Sequence, residues 1–135
     1  MTKEQKVPVL LNITLWIAQI LLSVGFIWAG AMKLFKPAEQ LAAMWPWTAE
    51  HADLVNLTGV IDILAGLGLV LPTLLRIVPR LTVYASLATI ALMIAAIIFH
   101  ISRGEGAQIG VNIFFAVAAA FIAWGRGVKK RINAR

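Results

Sequence analysis

Residues 59–72, GVIDILAGLGLVLP, decide how this chain is read. The stretch is long enough to cross most of a bilayer and carries one acid, Asp62, in its middle. A carboxylate at the centre of a membrane helix costs about 2.5–3.5 kcal/mol on insertion scales, so it normally faces a partner or a water-filled cavity. Gly59, Asp62 and Gly66 fall at i, i+3 and i+7, on one helical face, where glycines let another helix approach closely. Pro72 is expected to end the segment. The other apolar segments then read as walls around a buried acid.

Composition supports a membrane setting. The 135 residues are 61% hydrophobic and 13% charged, with a mean hydropathy of +0.87, against roughly 45–50% apolar in soluble domains. A soluble domain this small has too little interior to hide so much apolar surface. The expectation is one integral membrane domain over residues 1–135, with no room for a soluble second one. The net charge is +6. Lys129, Lys130, Arg131 and Arg135 cluster after the last apolar segment, with Arg126 at its edge. An anionic leaflet explains such juxtamembrane charge. No aromatic and basic residues interleave as a nucleic-acid reading surface would need, so the expected partner is the lipid bilayer and not nucleic acid. There is no cysteine, which excludes disulfides, Cys-ligated zinc and iron–sulfur clusters.

Four spans are expected, at about 9–32, 54–71, 81–99 and 109–124, forming an all-α four-helix bundle. Residues 1–6 read as a polar tail. The first apolar run is too long for a signal-peptide core and reads as a retained span. Between the first two spans, Pro37 and Met44-Trp45-Pro46-Trp47 suggest a bent, partly helical surface segment. Its tryptophans read first as interfacial anchors and second as a lid. Nine of the twelve Lys and Arg (Lys3, Lys6, Arg76, Arg80, Arg126, Lys129, Lys130, Arg131 and Arg135) fall in the tails and the second loop. The positive-inside rule therefore places both termini in the cytoplasm.

Each span keeps its polar and small residues on one stripe: Gln19, Ser23, Gly30 and Lys33; Gly59, Asp62 and Gly66; Thr82, Ser86, Thr89, Met93, Ala96 and His100; Gln108, Asn112, Phe115 and Ala119. A shared polar interior is the economical explanation. Lys33, His100 and Gln108 fall near the outer rim, and Asp62, eight residues in from Leu54, lies ~12 Å down at ~1.5 Å per residue. The candidate pocket therefore holds Lys33, Asp62, His100 and Asn112, with Gln19 deeper and Trp45, Trp47, Arg103 and Glu105 at its mouth. The bland alternative is that Lys33 and Asp62 neutralise each other and fix helix register, while Asn112 bonds between helices. Gly106 and Gly110 read as a close-packing pair. The only other histidine, His51, is in a loop, so paired-histidine haem ligation and a histidine-rich metal site are not expected. No phosphate loop, GxSxG or HExxH is present, so no catalytic residue is assigned. One amine, one carboxylate and one imidazole equip the pocket for proton transfer.

Ala29-Gly30-x-x-Lys33-Leu34 with Pro37, Gly59-x-x-Asp62-x-x-x-Gly66-x-Gly68-Leu69-x-Leu71-Pro72 with Pro79, and His100-x-x-Arg103-Gly104-Glu105 with Asn112 and Gly125-Arg126 together resemble the DoxX-like family of small four-span membrane proteins. The family often carries glutamate where this chain has Asp62. The resemblance implies a bacterial-type inner-membrane protein. It also implies a membrane subunit or accessory of a quinone-linked redox system, set beside a catalytic redox partner protein. Quinone is the implied cofactor, with nothing bound covalently, and a homo-oligomer is a further expected association. Any activity would be that of a quinone-linked oxidoreductase subunit. Two rival readings stand beside it: a small proton-coupled exporter, and a purely structural assembly factor whose pocket residues are glue.

Overall fold

A computed structural model describes residues 3–134, with side chains from Pro8 onward. The expectations for Met1, Thr2 and Arg135 lie outside the described residues. The described chain is helical throughout: α1 (Lys3–Phe35), α2 (Ala38–Met44), α3 (Ala52–Leu75), α4 (Arg80–Ser102) and α5 (Gly110–Trp124), with 3-10 turns at Pro46–Glu50 and Gly106–Gln108. A π-helical turn, Gly125–Lys129, extends α5. Helices α1, α3, α4 and α5, the last with its π turn, are long and apolar enough to cross a membrane. The polar tail expected at 1–6 is shortened, because α1 already begins at Lys3.

Most of each polar stripe faces inward, although Gln108 at the rim is exposed. Gln19, Ser23, Gly59, Asp62, Gly66, Thr82, Ser86, Thr89 and Met93 are all buried, while residues such as Ile17, Ile20, Val24, Leu64 and Ile98 stay exposed on the outer faces. This inverts the soluble pattern, as lipid requires. The buried hydroxyls do not go unpaired: Ser86 and Thr89 donate to the Thr82 and Ala85 carbonyls of their own helix, both at 2.8 Å. Between the ends, Leu22, Phe26, Leu69, Met93, Ala119 and Ile122 form the apolar core.

The seam between α1 and α3 is tight. A Cβ on Gly30 would meet the Gly59 carbonyl oxygen at 2.7 Å, and one on Gly66 would meet Ile27 Cγ1 at 2.6 Å. The backbones therefore touch where the sequence has no side chain. Gly106 and Gly110 behave differently. A Cβ on either meets nothing within 4 Å, so their GxxxG spacing is not a packing contact.

Pro72 does not stop α3, which continues to Leu75 and ends with Arg76 in the left-handed conformation (φ 57°). A proline removes only one backbone donor. Here the turn it sits in is held by Thr73, whose buried hydroxyl lies 2.7 Å from that of Thr82 and accepts from Gln19. The segment between α1 and α3 is helical as expected, but it is no simple lipid anchor. Trp47 is buried and joins Leu41 and Val55 in a second small core, with its ring edge-on to Phe99.

Candidate functional site

The end of the bundle away from the termini contains a cleft of about 910 Å³. Helix α1 contributes Trp28 and Lys33, α3 contributes Thr58 and Asp62, α4 contributes Met93, Phe99 and His100, and α5 contributes Asn112 and Phe115. Trp45 and Trp47, from the surface segment, also line it. Its size falls in the range of small-molecule sites, ~300–1,000 Å³, and its mix of aromatic wall and few polar groups is typical of them.

The polar corner is built on the tight α1–α3 seam. Because Gly30 and Gly59 bring the helices together, Lys33 reaches Asp62 directly, Nζ to Oδ2 at 2.8 Å. Lys33 also donates to Thr58 Oγ1 at 3.2 Å and stands 5.6 Å from the Trp47 ring centroid. The shorter reach of aspartate is met by this close approach. The carboxylate is almost wholly buried, with 5% of its side chain exposed, while the lysine keeps 13%. The lysine side chain is therefore the more accessible half of the pair.

His100 lines the cleft from α4. Its Nδ1 donates to Glu105 Oε1 at 3.0 Å, which leaves Nε2 with no partner among the described residues. Glu105 accepts as well from Arg103 Nε at 3.0 Å. Arg103 Nη1 in turn lies 3.4 Å from His51 Nε2 and 3.5 Å from Glu50 Oε2. Arg103 and Glu105 do not themselves line the cleft. They bracket His100 and tie the α4–α5 turn to the segment carrying Trp45 and Trp47. Neither Glu50 nor His51 was marked by the sequence as part of this arrangement, because both sit in a connection without periodicity.

Hydrogen bonding from His100, and then from Arg103, holds the Glu105 carboxyl below its usual range against the opposing effect of desolvation. The folded-state value therefore lies below the unfolded one. The resulting stabilisation is present above the ordinary glutamate pKa of about 4.3 and is lost as pH falls through the depressed value. Wild type should melt above Glu105→Gln at neutral pH, and the two should converge on acidification. A gap that stays constant down to pH 3 would contradict this.

Asn112 lines the cleft with its amide free of hydrogen bonds among the described residues, so it is not the interhelical glue that the bland reading makes of it. Gln19 belongs elsewhere. Its Nε2 donates to Leu69 O at 2.7 Å and Thr73 Oγ1 at 3.2 Å, and its Oε1 accepts from Arg126 Nε at 2.7 Å. The polar interior is thus two sites at two depths, separated by the apolar core. Arg126, read from sequence as an edge residue of a basic tail, is buried: the π turn carries it inward, where it also donates to Asn12 and stacks on Trp16. Asn12, two turns before Gln19 on α1, was the available signal, since two polar side chains on one face need a partner at the same depth.

Among the described residues no group of His, Cys, Asp or Glu is placed to hold a metal ion. No curated protein and no solved structure matches the chain. A family model does: that of the DoxX-like family, over residues 17–122. That range runs from the first span into the fourth and takes in Lys33, Asp62, His100 and Asn112 together with the glycines that seat them. With four apolar helices, inward polar stripes and a family match over most of its length, this chain is an integral membrane protein and belongs to the DoxX-like family.

Proposed function

We propose that the protein holds a lipophilic small molecule with a polar head, a quinone by chemical class, in the cleft beneath Trp45 and Trp47, as a membrane subunit or accessory of a quinone-linked redox system. One observation carries this reading: an aromatic-walled cleft between the helices is lined by an ammonium, an imidazole with a free nitrogen and an amide. A quinone ring presents two carbonyl oxygens and a flat apolar body. Lys33 and the Asn112 amide can each donate to a carbonyl, and Trp28, Trp45, Trp47 and Phe99 cover the ring. His100, backed by Glu105, is positioned to give up or take the proton that accompanies reduction of such a ring. In this role the electrons come from a catalytic redox partner protein. With the basic tails in the cytoplasm, the cleft lies in the outer half of an inner membrane.

The test is a titration of the full-length protein in detergent with decylubiquinone and with menadione, following tryptophan emission. Three of the five tryptophans line the cleft, so bound quinone should quench saturably. Asn112→Ala removes a side chain without a hydrogen-bond partner among the described residues, and so should leave the melting temperature within about 1 °C while weakening binding about tenfold. Non-saturating quenching, identical in wild type and Asn112→Ala, would sink the proposal and favour the assembly-factor reading.

A further inference from the structure

We propose that the end of the bundle carrying the termini has a second site, one that holds a phosphate-type oxyanion between the α3–α4 turn, the start of α4 and the returning C-terminal tail, with Arg126, Arg80 and Arg131 as its cationic wall. The cleft there measures about 540 Å³, and Thr73, Tyr84 and Asn133 complete the part of its lining that matters here. No acidic residue lines it.

Arg126 is the reason to read this as a built site and not as a charged surface. Only 4% of the residue is exposed. Its Nε is taken by Gln19 and its Nη1 by Asn12 Oδ1 at 2.7 Å and Lys130 O at 3.1 Å. Its Nη2 is the one buried side-chain nitrogen or oxygen among the described residues with no hydrogen-bond partner. A buried guanidinium with spare donors, facing no carboxylate among the described residues, is an incomplete arrangement. A tetrahedral oxyanion completes it, since guanidinium N–H groups match phosphate oxygens in spacing and charge.

The surroundings are fixed to hold that shape. Arg76 Nε donates to Asn133 O at 2.8 Å, which ties the tail to the α3–α4 turn, and Arg131 Nε donates to Gly127 O at 2.7 Å within the tail itself. Arg131 spends only its Nε in doing so. The α3–α4 turn keeps Arg76 and Val78 at positive φ, 57° and 42°, a costly conformation for a β-branched residue. Exposed Tyr84, one turn into α4, sits where membrane proteins place aromatics at the headgroup level. The phosphate of an acidic lipid and a soluble phosphate present the same group to these residues.

Full-length protein in a non-ionic detergent is titrated by calorimetry, at fixed ionic strength, with dioctanoyl phosphatidylglycerol and with sodium phosphate. Two pairs are compared, Arg80→Gln/Arg131→Gln within the cleft and Lys129→Gln/Lys130→Gln outside it. Both leave Arg126 and its buried contacts in place. Saturable binding weakened about tenfold by the first pair, and far less by the second, is the expected result. Binding of the lipid alone assigns the site to a headgroup; binding of sodium phosphate assigns it to the oxyanion itself. Equal loss in the two pairs, or no saturable binding of either probe, would overturn the site.

Discussion

Asp62→Asn alone should destabilise the bundle by about 3–5 kcal/mol, the usual cost of leaving one member of a buried ion pair uncompensated. Lys33 would keep its charge with only neutral groups to answer it: the new amide oxygen, the Thr58 hydroxyl at 3.2 Å and the face of Trp47. The paired change Lys33→Met/Asp62→Asn retains both shapes and removes both charges, and should recover most of that loss. Melting curves of the three proteins check the first half of this expectation. The second half separates structure from function: in the quinone titration the paired variant should bind no better than the single one, although it is well folded. Restored stability with restored binding would mean that the cleft takes its ligand without the charged corner. A paired variant as unstable as Asp62→Asn would mean that the loss does not come from an uncompensated charge.

The second large effect belongs to Arg126. Arg126→Met should cost about 2–4 kcal/mol, because it strips a hydrogen bond from the fully buried Gln19 and another from Asn12 and leaves both oxygens unpaired. Arg126→Lys should recover less than half. A single ammonium cannot reproduce a planar fork that reaches Gln19 and Asn12 from different nitrogens while stacking on Trp16 at 5.5 Å. Unfolding by graded denaturing detergent reads both variants. A lysine variant as stable as wild type would reduce Arg126 to a simple charge at the membrane edge.

The four spans were legible because lipid imposes a length and a composition that nothing else in the chain shares. The inward face of α3 was legible from one acid and two glycines, since a helix in lipid must turn Asp62 away from it. The candidate site was legible as a neighbourhood and not as contacts. Lys33 and Asp62 could be assigned similar depths, but their 2.8 Å approach depends on how closely α1 and α3 meet. Gln19 shared a stripe with Lys33, yet fourteen residues of helix separate them, so a common face did not mean a common site. Arg126 was hidden by its neighbours: beside Lys129, Lys130 and Arg131 it looks like one more tail charge, and only the π turn carries it inward. Pro72 misled for a related reason, because the end of α3 is set by partners of Thr73 and not by local propensity.

The glycine seam also bears on how the chain enters the membrane. Asp62 meets its cation in the span made immediately before its own, across the segment that carries α2. During synthesis the acid therefore never has to face lipid alone. Helices α1 and α3 can pass from the insertion machinery as a hairpin already neutralised at its buried point, and the remaining two spans follow onto a template that has been electrically closed.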